Sequence, residues 1–132
     1  EVSYYQSLIS SENEKINSAQ NTLDKAKTSL DSAKSSMQQK QSEVNQLKAQ
    51  LEEAEEGSDT SDLQAQLDQA QSELETLNRK YEQAGNSYNS AKSEYDSVKR
   101  TTQSNIDDYN DKIDDLNSKI SDLQSRLSAL QS

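Results

Sequence analysis

Apolar residues in this chain recur at alternating spacings of three and four, with polar residues filling every gap. In the first half, Val2, Ile9, Ile16, Leu23, Leu30, Met37, Val44 and Leu51 occupy the a positions of a heptad. Tyr5, Glu12, Ala19, Ala26, Ala33, Lys40, Leu47 and Ala54 occupy d. A heptad held without interruption predicts a long α-helix with a narrow apolar seam, the signature of a coiled coil. The run stops at Glu55-Glu56-Gly57-Ser58-Asp59-Thr60-Ser61-Asp62. Gly57 is expected to close the first helix in a left-handed conformation. Ser61 and Gln64 then form a capping box that opens a second helix. The expected division is helix 1 over 1–56, a turn over 57–62 and helix 2 over 63–132.

The second run places Leu67, Leu74, Tyr81, Tyr88, Tyr95 and Thr102 at a. Leu63, Ala70, Leu77, Ala84, Ala91 and Val98 stand at d. Val98, Thr102 and Ile106 are four apart, a stutter that locally unwinds a supercoil. A shifted seam continues through Tyr109, Ile113, Leu116, Ile120, Leu123, Leu127 and Leu130. Gly85 interrupts nothing, because the seam keeps its phase across it.

Folding the chain back at the turn matches the two runs by volume. Ala54 meets Leu63, Leu47 meets Ala70, Val44 meets Leu74, and Ala33 meets Ala84. Leu30 meets Tyr88, Leu23 meets Tyr95, Ala19 meets Val98, and Tyr5 meets Ile113. Small-on-small layers alternate with large-on-Tyr layers, so the backbones approach closely where Ala faces Ala. The fold class is therefore all-α: a long antiparallel two-helix coiled-coil hairpin with Ala-faced central layers, resembling an Alacoil. This register exhausts helix 1 opposite Leu116 and leaves 118–132 as a C-terminal overhang. Ile120, Leu123, Leu127 and Leu130 on that overhang are the expected oligomerisation residues. Ile at a with Leu at d suits a two-stranded parallel zipper. Leu8 and Tyr4 are expected to be exposed and to offer a further contact.

Composition agrees with a seam rather than a globular core. Only 29% of the 132 residues are hydrophobic, and there is no Pro, Phe or Trp. Cys and His are both absent, which removes disulfides, thiol chemistry, Cys-based zinc and the commonest general base. No nucleophile–base pair or glycine-rich phosphate loop occurs, so the chain is not expected to be an enzyme. A net charge of −10 disfavours nucleic acid and anionic membrane as partners. No apolar run is long enough for membrane insertion. The chain opens at Glu1 rather than Met, as expected of a fragment or a processed product.

Two acidic clusters are the only candidate metal ligands. Glu52, Glu53, Glu55, Glu56, Asp59 and Asp62 crowd the tip, while Asp107, Asp108, Asp111, Asp114 and Asp115 lie outside the final seam. Carboxylates are the ligand type that Ca²⁺ takes, but neither cluster has EF-hand spacing. Weak Ca²⁺ binding shared between neighbouring chains is the most they support; a solvated acidic face is the competing reading. Glu12 and Lys40, polar residues on the seam, are expected to fix register.

The acidic, Cys-free, Ser/Gln/Asn-rich heptads, such as Leu23-x2-Ala26-x3-Leu30-x2-Ala33, resemble the trichocyst matrix and granule lattice proteins of ciliates. That resemblance implies proteolytic processing, a secretory-granule or extracellular setting, crystalline packing and Ca²⁺-responsive rearrangement. The expected function is a structural protein that self-assembles, alone or with paralogous chains, into a filament, lattice or bundle. A spacer or adaptor module of a larger surface or tethering protein is the alternative.

Overall fold

The computed structural model describes residues 1–131; the last position of the expected helix 2, Ser132, lies outside them. Two helices account for nearly all of the chain: α1 over Val2–Glu53 and α2 over Ser61–Gln131. They pack against each other as a helical hairpin. Neither contains Pro, and the single glycine inside a helix, Gly85, costs only about 1 kcal/mol relative to Ala. The burial pattern follows the heptads, with buried or half-buried residues at the a and d positions from Val2 to Ala54 and from Leu63 to Leu116.

The chain divides into two compact units. One is Leu23–Ala91, which holds the turn. Its core is Val44, Leu47, Leu67 and Ala70, flanked by Leu51, Leu63 and Leu74. Val44 is only 1% exposed. Farther from the turn, the Lys40 ammonium reaches across to Glu73 Oε2 at 2.6 Å while holding Glu43 at 2.8 Å on its own helix. Beyond that, Leu30 lies beside Gly85. Contacts that run backward along α2 as they run forward along α1 make this pair antiparallel.

The turn differs from expectation in three ways. First, α1 ends at Glu53, before the expected residue 56. Glu52, Glu53, Glu55 and Glu56 bring negative charge to the negative end of the helix dipole, and no basic residue in the last turn offsets them. An Ala54 N–H to Leu51 carbonyl bond of 3.4 Å tightens the end. Second, Gly57 does not cap α1. Its φ of 89° serves the third position of a β-turn closed by Ser58 N–H donating to the Glu55 carbonyl at 3.0 Å. A type II turn requires positive φ there. Third, Ser61 is not the N-cap. The Thr60 carbonyl accepts the first helical bond, from Gln64 N–H at 2.9 Å. Asp59 Oδ1 accepts Ser61 N–H at 3.0 Å, an Asx turn leading into the helix. Gln64 donates its side-chain amide forward to Asp68 at 3.0 Å instead of reaching back.

The other unit joins Glu1–Thr22 to α2 from Lys92 onward. Here the Tyr5 ring stacks on Tyr109 at 6.1 Å between centroids, and Ile113, expected opposite Tyr5, is half-buried. Tyr4 meets Tyr5 edge-on at 5.3 Å, and Lys112 sits 5.6 Å from the Tyr5 ring centre. Tyr4 is exposed, but Leu8 is half-buried rather than exposed. Near the stutter, Thr102 is buried and Asn105 and Ile106 are both half-buried. The covered face of α2 widens where the phase changes.

Neighbouring positions on α2 should respond oppositely to added volume. Ala84 is a half-buried seam residue, so Ala84→Leu is expected to lose roughly 1–3 kcal/mol to overpacking. A Cβ on Gly85 would meet nothing nearer than Leu30 Cδ1 at 4.0 Å, an ordinary contact. Gly85→Ala is expected to gain about 0.5–1 kcal/mol. Urea unfolding followed by circular dichroism measures both.

Candidate interaction site

The acidic residues are spread over exposed helix faces and the turn between α1 and α2. At the turn, Glu52, Glu53, Glu55, Glu56, Asp59 and Asp62 are all exposed. Asp59 is committed to capping: the Ser61 hydroxyl and N–H hold its carboxyl below the ordinary value. Asp62 lies in the first turn of α2, where the helix dipole favours a negative charge. Asp107, Asp108, Asp111, Asp114 and Asp115 are likewise exposed, and Asp115 leans toward Lys119 at 3.6 Å. Among the described residues, no group of three or more carboxylates converges to hold a metal ion. Successive exposed positions on α2 diverge, and the tip carboxylates are divided between the end of α1, the turn and the start of α2, so acidic density in the sequence does not become a cage.

Glu12 is different. It is 6% exposed at a seam position, and a buried carboxylate is costly unless its oxygens are satisfied. Lys15 Nζ donates to Oε1 at 2.9 Å, and Asn105 Nδ2 donates to Oε2 at 3.4 Å from across the interface. The Lys15 hydrogen bond holds the Glu12 carboxyl below its ordinary value against the opposing effect of burial, with Asn105 and the Thr102 hydroxyl assisting. Lys15 is raised in turn by Glu12. This node ties register to chemistry, because sliding one helix past the other would separate Glu12 from Thr102 and Asn105. The sequence reading named Glu12 but missed Lys15, Thr102 and Asn105 as its partners. A signal was present: the matched layers pass from Ala19–Val98 to Tyr5–Ile113 without a partner for Glu12, and polar Thr102 and Asn105 lie in that gap.

Lys40 forms a second, more open polar contact. Glu43, then Glu73, raise its ammonium above the ordinary value, and Lys40 lowers Glu73. The pair is partly solvated and contributes little by itself.

The remaining feature is apolar. Leu116 is the last half-buried seam residue on α2. Beyond it Ile120, Leu123, Leu127 and Leu130 are 47%, 61%, 56% and 84% exposed. The helix nonetheless continues to Gln131. Asp115–Lys119 and Asp122–Arg126, the latter at 3.3 Å, are acid-before-base pairs one turn apart, the orientation that supports a helix. Four large aliphatics on one face of a charged helix make a stripe suited to a partner helix rather than to a small molecule.

In comparisons with known proteins, no family model, curated protein or solved structure matches this chain.

The Glu12 node predicts a pH dependence of defined sign. A carboxyl lowered by folding stabilises the fold above its unfolded value, and that contribution is lost as pH falls through the folded value. For Glu12 the loss therefore lies below 4.5. Lys15, raised above 10.5, contributes below that pH and loses its contribution as pH rises through its folded value. Glu12→Gln should be less stable than the wild type at pH 7, and the gap should close as pH drops below 4.5. Paired thermal melts across pH 3–8 measure the difference, and a gap independent of pH would contradict the assignment.

Proposed function

We propose that this chain is a structural coiled-coil protein that assembles with copies of itself or with paralogous chains into a filament, lattice or bundle. The observation that carries the reading is the exposed stripe Ile120, Leu123, Leu127 and Leu130. Fully burying an exposed Leu or Ile contributes about 1.5–3 kcal/mol, and these residues start about half to four-fifths exposed. Summed over two copies, the gain is of the same order as the roughly 4–15 kcal/mol that association costs. Reversible, concentration-dependent association is the expected behaviour.

The surface chemistry is consistent with assembly and assigns no catalytic role. The exposed acidic faces and a net charge of −10 repel neighbouring copies until the charge is neutralised. Ca²⁺ bridging between chains, rather than within one, is the form of metal response this reading includes. A secretory-granule setting rests on the sequence resemblance alone. Among the described residues, no helix is long and apolar enough to cross a membrane.

Removing residues 118–132 is expected to abolish association while preserving the helicity of the remaining chain. Sedimentation equilibrium near 100 µM checks it, and an intact chain that is already monomeric there would end the proposal. Millimolar Ca²⁺, or acidification toward the pH where the carboxylates protonate, is expected to raise light scattering by relieving self-repulsion. Scattering unchanged by both would leave the acidic faces as solubilising surface.

A further inference from the structure

We propose that the C-terminal stripe pairs antiparallel with the same stripe of a second copy, centred at Ser125; this inference rests on the self-assembly reading above. The heptad by itself suits a parallel zipper, but the position of α1 stands in its way. Tyr109, Ile113 and Leu116 lie on the same seam as Ile120 and Leu123, and the start of α1 covers it: Tyr5 stacks on Tyr109, and Val2, Ile113 and Leu116 are half-buried. A parallel second helix, in register at Ile120, would carry its preceding turns into the space α1 already fills. An antiparallel helix instead reaches that boundary with its own C-terminal end and extends away from α1.

The sequence of the stripe is self-complementary in that orientation. Ile120 falls opposite Leu130 of the second copy, and Leu123 falls opposite Leu127 of the second copy. Each layer therefore joins an a residue to a d residue at constant offset, the arrangement an antiparallel pair needs if successive layers are to stay level. One flank sets Gln124 against Gln124 of the second copy, an amide pair free of charge repulsion. The other brings the two Arg126 side chains toward each other near the symmetry axis. Each guanidinium already holds Asp122 of its own helix at 3.3 Å, and Arg126 is 73% exposed, so solvent and the neighbouring carboxylate screen the repulsion. The interface is isologous and two-fold, so it joins chains in pairs, and growth of a larger assembly would join those pairs through other faces.

The chain has no cysteine, so the orientation can be read with the double variant Ile120→Cys/Leu130→Cys, which keeps Leu123 and Leu127 at the centre. Both replaced residues are exposed, and circular dichroism checks that the helices persist. Wild-type chain is first weighed by sedimentation near 100 µM, and the variant is then oxidised, digested after Lys119 and Arg126, and mapped by mass spectrometry. A wild-type dimer with links joining position 120 to position 130 between chains is the expected result. Links of 120 to 120 and 130 to 130 would overturn the antiparallel inference and leave self-assembly standing. Oligomers with no link at either position would do the same, placing the contact elsewhere. A wild-type monomer would overturn both. Spin labels give an independent readout. Ser125 and Ser118 both lie on the face of α2 turned away from the second copy, so labels at Ser125 should be separated across the dimer only laterally, whereas labels at Ser118 should be displaced by about 20 Å more along the helix axes, from a rise of about 1.5 Å per residue. Equal separations at the two sites would overturn the inference.

Discussion

Everything in this protein depends on one narrow apolar seam shared by two helices. Neither helix has a second face to bury, and with 29% hydrophobic residues there is no reserve core. Long helices in water draw most of their stability from tertiary packing rather than propensity, so each holds its form through the face it presents to the other. The best-buried residues are correspondingly few: Val44, Leu47, Leu67, Ala70 and Ala91 among the hydrophobics. Small side chains are favoured on such a seam because they let two backbones close on each other with little area to spare.

Apolar periodicity alone does not fix register, since a heptad slid by seven residues still places apolar on apolar; the turn and the matching of small with large layers narrow it. The polar exceptions supply what the pattern lacks. Glu12 is buried and finds its cross-helix donor in Asn105; Lys40 finds Glu73. A slipped register would take Asn105 and Thr102 away from the buried Glu12 carboxylate and leave it only Lys15 on its own helix, which costs stability. The acidic turn works toward the same end. By ending α1 early and committing Asp59 to the start of α2, it limits where the second helix can begin.

The same economy explains the exposed end of α2. A helix pair buries only the length over which both helices run, and α2 with 71 residues outruns α1 with 52. The leftover seam keeps its large aliphatics while the covered part uses many Ala and Tyr. Ile120, Leu123, Leu127 and Leu130 continue the seam spacing beyond the covered part and are exposed there.

Heptad periodicity and its interruption at the turn determined that there would be two helices, which residues would face inward, and where the inward face would outlast its partner. Those properties follow from local spacing, because a period of three and four on a helix places side chains on one side whatever surrounds them. The ends of the helices were not legible in the same way. Gly57 and Ser61 both looked like caps, but the competition among carboxylates at the end of α1 and the particular bonds of Asp59 and Thr60 decided the outcome. Only tertiary structure assigned Glu12 its cross-helix partners Asn105 and Thr102, because hydrogen-bond geometry across an interface depends on register. It also dispersed the acidic clusters: density along a sequence says how many carboxylates are near one another, and the backbone, helical along α2 and turning at the tip, decides that they do not converge.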